Sequence, residues 1–305
     1  MKKNIVEIID LTKKYDKNTV LDNINIKINK GDIYGLIGRN GAGKTTLMRI
    51  MTSLCNYDSG KVYLFGEENG QYNKNRIGSM IEKPVFYPNL SAYDNLKYYC
   101  IQKGIVDKNQ INKVLSIVNL NDTGKKKFKN FSLGMKQRLG IALAILNNPD
   151  FIILDEPING LDPLGISEIR DTLKKLNMEE NITILISSHI LSELYLVANK
   201  FCFIENSKII KDITKEQLDL ECNRCLVLKV DDTKKTSVIL EEQLNTKNYK
   251  VIDKNEIRLY EYLDHSNKVS KILLQNDIEL NSISEISISL EDYFKGILKE
   301  SENNA

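Results

Sequence analysis

Apolar and polar residues alternate through positions 5–10 and again through 20–28, the period of strands with one face in a core. Ile33–Ile37 is instead a continuous apolar run, suited to a strand covered on both faces in a parallel sheet. A helix follows, with Leu47, Ile50 and Met51 on one face, and Asp58-Ser59-Gly60 then turns the chain into a strand over 61–65. Residues 1 to about 80 thus read as strands around one helix. From about Pro84 the period becomes helical. Ser91-Ala92-Tyr93-Asp94 has the spacing of a capping box ahead of Leu96 and Tyr99. Ile111, Val114, Leu115 and Val118 mark a second helix of this block, and Leu139, Ala142, Leu143 and Leu146 a third. Strand signals return at Phe151–Leu154, 182–187 and Lys200–Glu205, with helices between them. This alternation predicts a largely parallel α/β core over residues 1–215, with about 84–149 as a helical insertion. Beyond Leu220 the pattern changes to a strand at Cys225–Val230, a helix at 236–244 and strands at 249–253 and 256–260. A helix at 266–274, a strand at 281–290 carrying Ile283, Ile286 and Ile288, and a frayed tail at 301–305 complete it. The order β-α-β-β-α-β predicts a small α+β accessory domain over 222–305, arranged as a split βαβ, ferredoxin-like unit.

Composition narrows the class without naming a function. The 305 residues suffice for two domains, and 42% hydrophobic with 28% charged residues is ordinary for a globular protein. A formal charge of +2 gives no reason to expect a nucleic-acid partner. No run approaches the roughly 20 apolar residues that span a bilayer, and the most apolar stretch, 141–146, sits in a helical pattern. Met1-Lys2-Lys3-Asn4 is basic but no apolar core follows, so it does not read as a secretory signal. Membrane work would fall to another chain. The five cysteines are scattered and odd in number, which reads as reduced and cytosolic. Cys222-Asn223-Arg224-Cys225 has a spacing that zinc or a disulfide could use, but it lacks a second Cys or His pair, and a plain domain junction accounts for it.

Chemistry concentrates in four places. Gly38-Arg39-Asn40-Gly41-Ala42-Gly43-Lys44-Thr45 follows the buried strand and opens a helix, the context of a P-loop. Its glycines let backbone N–H groups fold round phosphate oxygens, Lys44 would reach the β- and γ-phosphates, and the Thr45 hydroxyl would hold Mg²⁺. Asp155-Glu156 ends a second apolar strand. Side chains alternate along a strand, so the two acids take separate roles: Asp155 in the Mg²⁺ shell, Glu156 orienting or deprotonating the attacking water. His189 follows the strand at 182–187 and starts a helix, where it could bond the γ-phosphate; His265 has no such context and reads as a surface residue. Ser132 is a natural N-cap for the helix running to 147, and Gly134 leaves its backbone open, so the pair reads either as a good helix start or as an anion site.

Together these residues resemble the ATP-binding subunits of ABC transporters over about residues 1–215. Gly38 to Thr45 matches Walker A, 151–156 Walker B, Asn159-Gly160-Leu161-Asp162 the D-loop and His189 the switch histidine. Phe131-Ser132-Leu133-Gly134-Met135 matches the signature motif, which more often has Leu, Gly and Gln where this chain has Phe131, Leu133 and Met135. The resemblance implies ATP and Mg²⁺ as cofactors, with Tyr15 stacked on adenine. It places Gly38, Asn40, Gly41, Gly43, Lys44, Thr45 and Thr46 on the phosphates of one copy, and Ser132, Gly134 and Asp162 on the nucleotide of another. One chain cannot close its own site, so the resemblance also implies a nucleotide-sandwich homodimer. It would dock on a separate transmembrane permease, at the inner face of the cell membrane. The family usually carries Gln at the entrance to the insertion; here Glu82 stands there. A carboxylate can still ligate Mg²⁺ or water, but it adds negative charge near the triphosphate and only accepts hydrogen bonds. Glu82, Pro84, Phe86-Tyr87 and the Ser-Leu-Gly-Met signature resemble the subfamily serving bacitracin and lantibiotic resistance or immunity, a reading favoured over drift to a tolerated neighbour. Lys125-Lys126-Lys127-Phe128-Lys129 reads as a solvated loop, near the face that would meet a permease. Two other readings are a soluble ABC ATPase acting on ribosomes or DNA, and a nucleotide-gated regulatory module. The first typically has two cassettes or long coiled coils, and neither is present.

Overall fold

Strands β1 (Asn4–Tyr15) and β2 (Asn18–Asn29) are the two alternating segments, paired antiparallel and longer than the alternation itself. Asp10, at φ 50°, forms a bulge, and the register shifts between Ile8 and Leu11, which are both buried although three residues apart. The apolar period slips at that point, which is why the sequence pattern stops while the strand continues. This computed structural model describes residues 4–68, 71–82, 85–107, 109–222, 225–286 and 289–303, without the side chains of 71–73 and 299–303. Met1 to Lys3, Pro84, Asn223, Arg224 and Ile288 lie outside the described residues.

After β3 (Ile33–Ile37), strands β4 (Ser59–Leu64) and β5 (Glu67–Glu68) extend the first sheet to the order β2-β1-β4-β5. A second sheet holds β3 with β6 (Ile77–Met80), β7 (Phe151–Leu154), β8 (Thr183–Ser188), β9 (Lys200–Glu205) and β10 (Lys208–Thr214). Its order is β10-β9-β3-β8-β7-β6, and every pair is parallel except β10 with β9. All residues of β3, β7 and β8 are buried, as the unbroken apolar runs of β3 and β7 require; in β8 the buried set includes Thr183, Ser187 and Ser188. Helix α1 (Lys44–Met51) puts Leu47, Met48, Ile50 and Met51 into one core shared by both sheets, with Val6, Ile24 and Val62 from the first and Leu36, Ile153 and Leu185 from the second.

Between β6 and β7 stand α2 (Ala92–Lys103), α3 (Asn109–Ile117) and α4 (Leu133–Ile145). The Ser91 hydroxyl accepts the Asp94 N–H at 3.1 Å and donates to Asp94 Oδ2 at 2.6 Å, so this box closes side chain to side chain. Asn95, fully buried, accepts the Tyr87 N–H at 2.8 Å and donates to the Ser91 carbonyl at 2.9 Å, tying the segment entering the helices to α2. Phe86, Tyr99, Phe128 and Phe131 cluster there, and Lys126 and Lys136 lie over the Phe131 and Phe128 rings. Helices α5 (Pro163–Met178) and α6 (Leu191–Tyr195) follow β7 and β8.

A second compact unit begins at Lys215 with α7 (Lys215–Glu221). Its sheet orders β11 (Cys225–Val230), β12 (Tyr249–Val251), β13 (Glu256–Leu259) and β14 (Leu280–Ile286) as β12-β13-β11-β14, all antiparallel. Helices α8 (Thr233–Glu242) and α9 (Ser266–Gln275) bury Ile239, Leu240, Val269 and Leu273 against Leu226, Leu228, Ile257 and Leu259. The strand expected over 281–290 ends at Ile286, and the expected frayed tail is α10 (Leu290–Asn303) out to Asn303. Ser289 starts that helix by accepting the Asp292 N–H at 3.0 Å, and Ile297 and Leu298 are buried. Leu290, Phe294, Ile297 and Leu298 carry the helical spacing that the isoleucine run just before them masks. Cys222 and Cys225 are buried, and burial pushes both thiols up, Cys222 to about 11, so neither offers a ready thiolate. Among the described residues no helix is long and apolar enough to cross a membrane.

Gly78 lets α4 lie on β6: a Cβ there would overlap the Ala144 carbonyl and stand 3.2 Å from Ile152 Cγ2. Gly78→Ala is expected to cost about 1–3 kcal/mol. Urea unfolding should show this as a lower midpoint at an unchanged slope.

Candidate nucleotide-binding site

Four neighbouring strands of the parallel sheet, β3, β8, β7 and β6, release the chain at the same end. The loop after β3 carries Gly38 to Gly43, that after β8 carries His189, that after β7 carries Asp155 and Glu156, and that after β6 carries Glu82. Such C-terminal edges are where parallel α/β sheets bind ligands.

The P-loop glycines are required by the backbone. A Cβ at Gly38 would overlap the Ile204 carbonyl; one at Gly43, which sits at φ +110°, would stand 2.7 Å from both Val20 O and Leu21 Cδ2. The loop and the start of α1 line a cleft of about 300 Å³ with Asn40, Gly41, Gly43, Lys44, Thr45 and Thr46. Tyr15, Val20, Asp155 and Glu156 form its other walls. A larger hollow of about 550 Å³, near the end of α1 and β4, has Lys74 as its one charged lining residue among those described. It has neither the P-loop glycines nor the acid pair, so the smaller cleft is the candidate site.

Lys44 is buried with its ammonium donating to the carbonyls of Gly38 at 2.7 Å and Arg39 at 3.2 Å, and paired with Glu156 Oε1 at 3.3 Å. The Thr45 hydroxyl donates to Asp155 Oδ2 at 2.7 Å. Ser187 was not singled out in the sequence, and it organises both acids. Its hydroxyl donates to Asp155 Oδ1 at 2.6 Å and accepts the Glu156 N–H at 2.9 Å. A serine directly after the apolar run 184–186 of a buried strand was the available signal. The separation of the two acids also differs from the expected cause. β7 ends at Leu154, and Glu156 stands at φ 47°, a left-handed bend that ends the strand's alternation before the second acid. His189 Nδ1 lies 2.9 Å from Glu156 Oε2; a carboxylate only accepts, so Nδ1 is the donor and carries the proton.

Tyr15 is half-exposed on the cleft wall, its hydroxyl 3.1 Å from Cys55 Sγ. That hydrogen bond, and then burial, pushes the phenol up from its ordinary value and keeps it neutral. Glu82 does not line the cleft. It sits at φ 64°, and its carboxylate accepts from the Arg49 guanidinium on α1, a partner the sequence reading missed. Ser132 caps α4 by accepting the Met135 N–H at 3.3 Å, and Asp162 caps α5 by accepting the Gly165 N–H at 3.0 Å. Neither residue, nor Gly134, lines the cleft. A Cβ on Gly134 would meet nothing nearer than 3.9 Å, so no packing inside the chain calls for glycine at that place.

Residues 21–159 match the family model described as ABC transporter. Over 293 residues the chain is 43% identical to the bacitracin transport ATP-binding protein BcrA of Bacillus licheniformis, covering 95% of this chain and 96% of that one. It is 48% identical over 206 residues to the lantibiotic transport ATP-binding protein SrtF of Streptococcus pyogenes, which covers 68% of this chain and 89% of the relative. Among solved structures, the dimeric bacterial ABC transporter cassette MJ0796 superposes with a TM-score of 0.62 at 24% identity, over 69% of this chain and 98% of that one.

Replacing Ser187 by Ala leaves a backbone N–H and a carboxylate oxygen without their partner in a largely buried place. The expected loss is about 1–3 kcal/mol of stability. Nucleotide hydrolysis should fall with it, because Asp155 and Glu156 lose their common anchor. Thermal unfolding and steady-state phosphate release check the two effects separately.

Proposed function

The chain belongs to the ABC transporter ATP-binding proteins, and on that premise we propose that it hydrolyses Mg-ATP to drive a separate membrane permease that expels a peptide antibiotic of the bacitracin or lantibiotic kind. The observation that carries the hydrolytic part is the convergence of Lys44, Thr45, Asp155, Glu156 and His189 at one cleft, linked by contacts of 2.7–3.3 Å. The peptide substrate rests on relatives named for bacitracin and lantibiotic transport, matched along most of the chain or over its first two thirds.

Each side chain has a distinct task in this proposal. Backbone N–H groups of the P-loop and the α1 dipole bind the phosphates, and the Lys44 ammonium donates hydrogen bonds to the β- and γ-phosphate oxygens. Tyr15, neutral and at the cleft wall, stacks on the base. Thr45 and Asp155 fit Mg²⁺, because a hydroxyl and a carboxylate 2.7 Å apart are the hard oxygen donors that this ion takes. Bound there, it would offset charge on the phosphate oxygens. Glu156 orients the attacking water and takes its proton, while His189 Nδ1–H holds that carboxylate in place.

The second half of the site comes from another copy of the chain. Ser132 and the open face of Gly134 stand at the start of α4 outside the cleft, where an N-terminus of a 13-residue helix and free backbone suit a γ-phosphate presented by a partner. Dimeric relatives of the same fold support this arrangement. Asp162 joins the partner's nucleotide from its cap on α5. Membrane association follows from docking on the permease, since no described helix could cross a bilayer. The unit from Lys215 onward is an accessory domain with a ferredoxin-like strand order.

Glu156→Gln is the decisive variant. It keeps the side-chain size and removes the base, so hydrolysis should fall by about 10²-fold or more. With ATP present the variant should elute from size exclusion as a dimer. Hydrolysis at the wild-type rate would refute the role of Glu156. A strain lacking the chain should gain sensitivity to bacitracin or a lantibiotic, and unchanged sensitivity to both classes would refute the substrate.

A further inference from the structure

We infer that Arg49 is a positioning residue that supplies the counter-charge for Glu82 and holds that carboxylate off the nucleotide cleft, so that an acid two residues beyond the end of β6 does not repel a bound triphosphate. The inference rests on the ATP-binding reading above and adds to it a residue outside the P-loop, the Asp155-Glu156 pair and the helix starts.

Strand register places Glu82 next to the reacting end of the site. Met80 of β6 pairs with Leu154 of β7, and the Asp155 N–H donates to the Met80 carbonyl at 2.9 Å. Glu82 therefore lies two residues beyond one strand end and Glu156 two beyond its neighbour, and both bend at positive φ, 64° and 47°. The two glutamates thus follow neighbouring strand ends at one edge of the sheet, and Asp155 precedes Glu156 by one residue. An unpaired third negative charge there would oppose a polyanionic ligand.

Helix α1 supplies the remedy. Thr45 is bonded to Asp155, and Arg49, four residues on, follows Thr45 on the same helix face one turn later. Its guanidinium donates to the Glu82 carboxylate, and neither side chain lines the cleft. Both are substantially exposed, at 39% and 62%, so the pair contributes little to folding and its effect is on where charge sits. A glutamine at position 82 would carry no charge and would need no such partner. Arg49 should therefore matter only while position 82 is acidic.

The test is a double-mutant cycle on the full chain, reading equilibrium binding of a fluorescent ATP analogue in EDTA and again with Mg²⁺. Arg49→Gln is expected to weaken binding by roughly 3- to 10-fold at low salt, most strongly in EDTA, with the loss shrinking as salt rises. In the Glu82→Gln background the same change should cost little, and Arg49→Lys should retain most of the affinity. An equal loss in both backgrounds would mean that Arg49 acts on the nucleotide itself, and no loss in either would mean that the pair controls nothing; each overturns the inference. Should Arg49→Gln unfold, the exchanged pair Arg49→Glu with Glu82→Arg restores the opposite charges, and it must bind more tightly than Arg49→Glu alone. Absence of analogue binding by the wild-type chain would instead bring down the ATP-binding reading itself.

Discussion

In-register parallel pairing of β3, β8, β7 and β6 is the constraint on which the site depends. Hydrogen bonding along these strands aligns Ile37 with Ser188 and Leu154 with both Ile186 and Met80. The residues that follow those ends come from positions 38, 82, 155 and 189, far apart in the chain. They emerge at one edge because a parallel ladder leaves little freedom in where each strand stops. Burial of both faces of β3, β7 and β8 fixes that ladder, since a shift of one residue would move apolar side chains out of register with the layers that cover them.

Within that frame the local problem is concentrated charge. Lys44 is buried, and it meets Glu156 directly while two backbone carbonyls accept hydrogen bonds from its ammonium. Asp155 is satisfied on one oxygen by Thr45 and on the other by Ser187, and Glu156 is held from the far side by His189. Isolated buried carboxylates would be costly, and here each has a donor within hydrogen-bond reach. The same donors orient the oxygens, so the contacts that make the acids tolerable also aim them. Glu82, which is exposed, is paired with Arg49.

The P-loop, the acid pair, His189 and the serine-glycine helix start were legible because each lies on contiguous sequence and needs particular residue types. Ser187 and Arg49 were not, because their importance consists in what they touch across 32 and 33 positions of chain. The length of β1 was underestimated for a physical reason, the bulge at Asp10 that breaks the period without breaking the ladder. The C-terminal helix α10 was missed because isoleucines at strand spacing run almost up to its cap at Ser289.

By itself the sequence determined the parallel α/β plan, the phosphate loop and the two acids, since apolar period, glycine demand and strand ends are local properties of the chain. Only tertiary structure decided that Glu156 turns into the cleft through a left-handed bend, that Ser187 anchors both acids and that Glu82 rests on Arg49 instead of lining the cleft. Those outcomes depend on which strand ends neighbour one another and on which helix face meets them. Pairing between distant segments sets both, and no local pattern of residues encodes it.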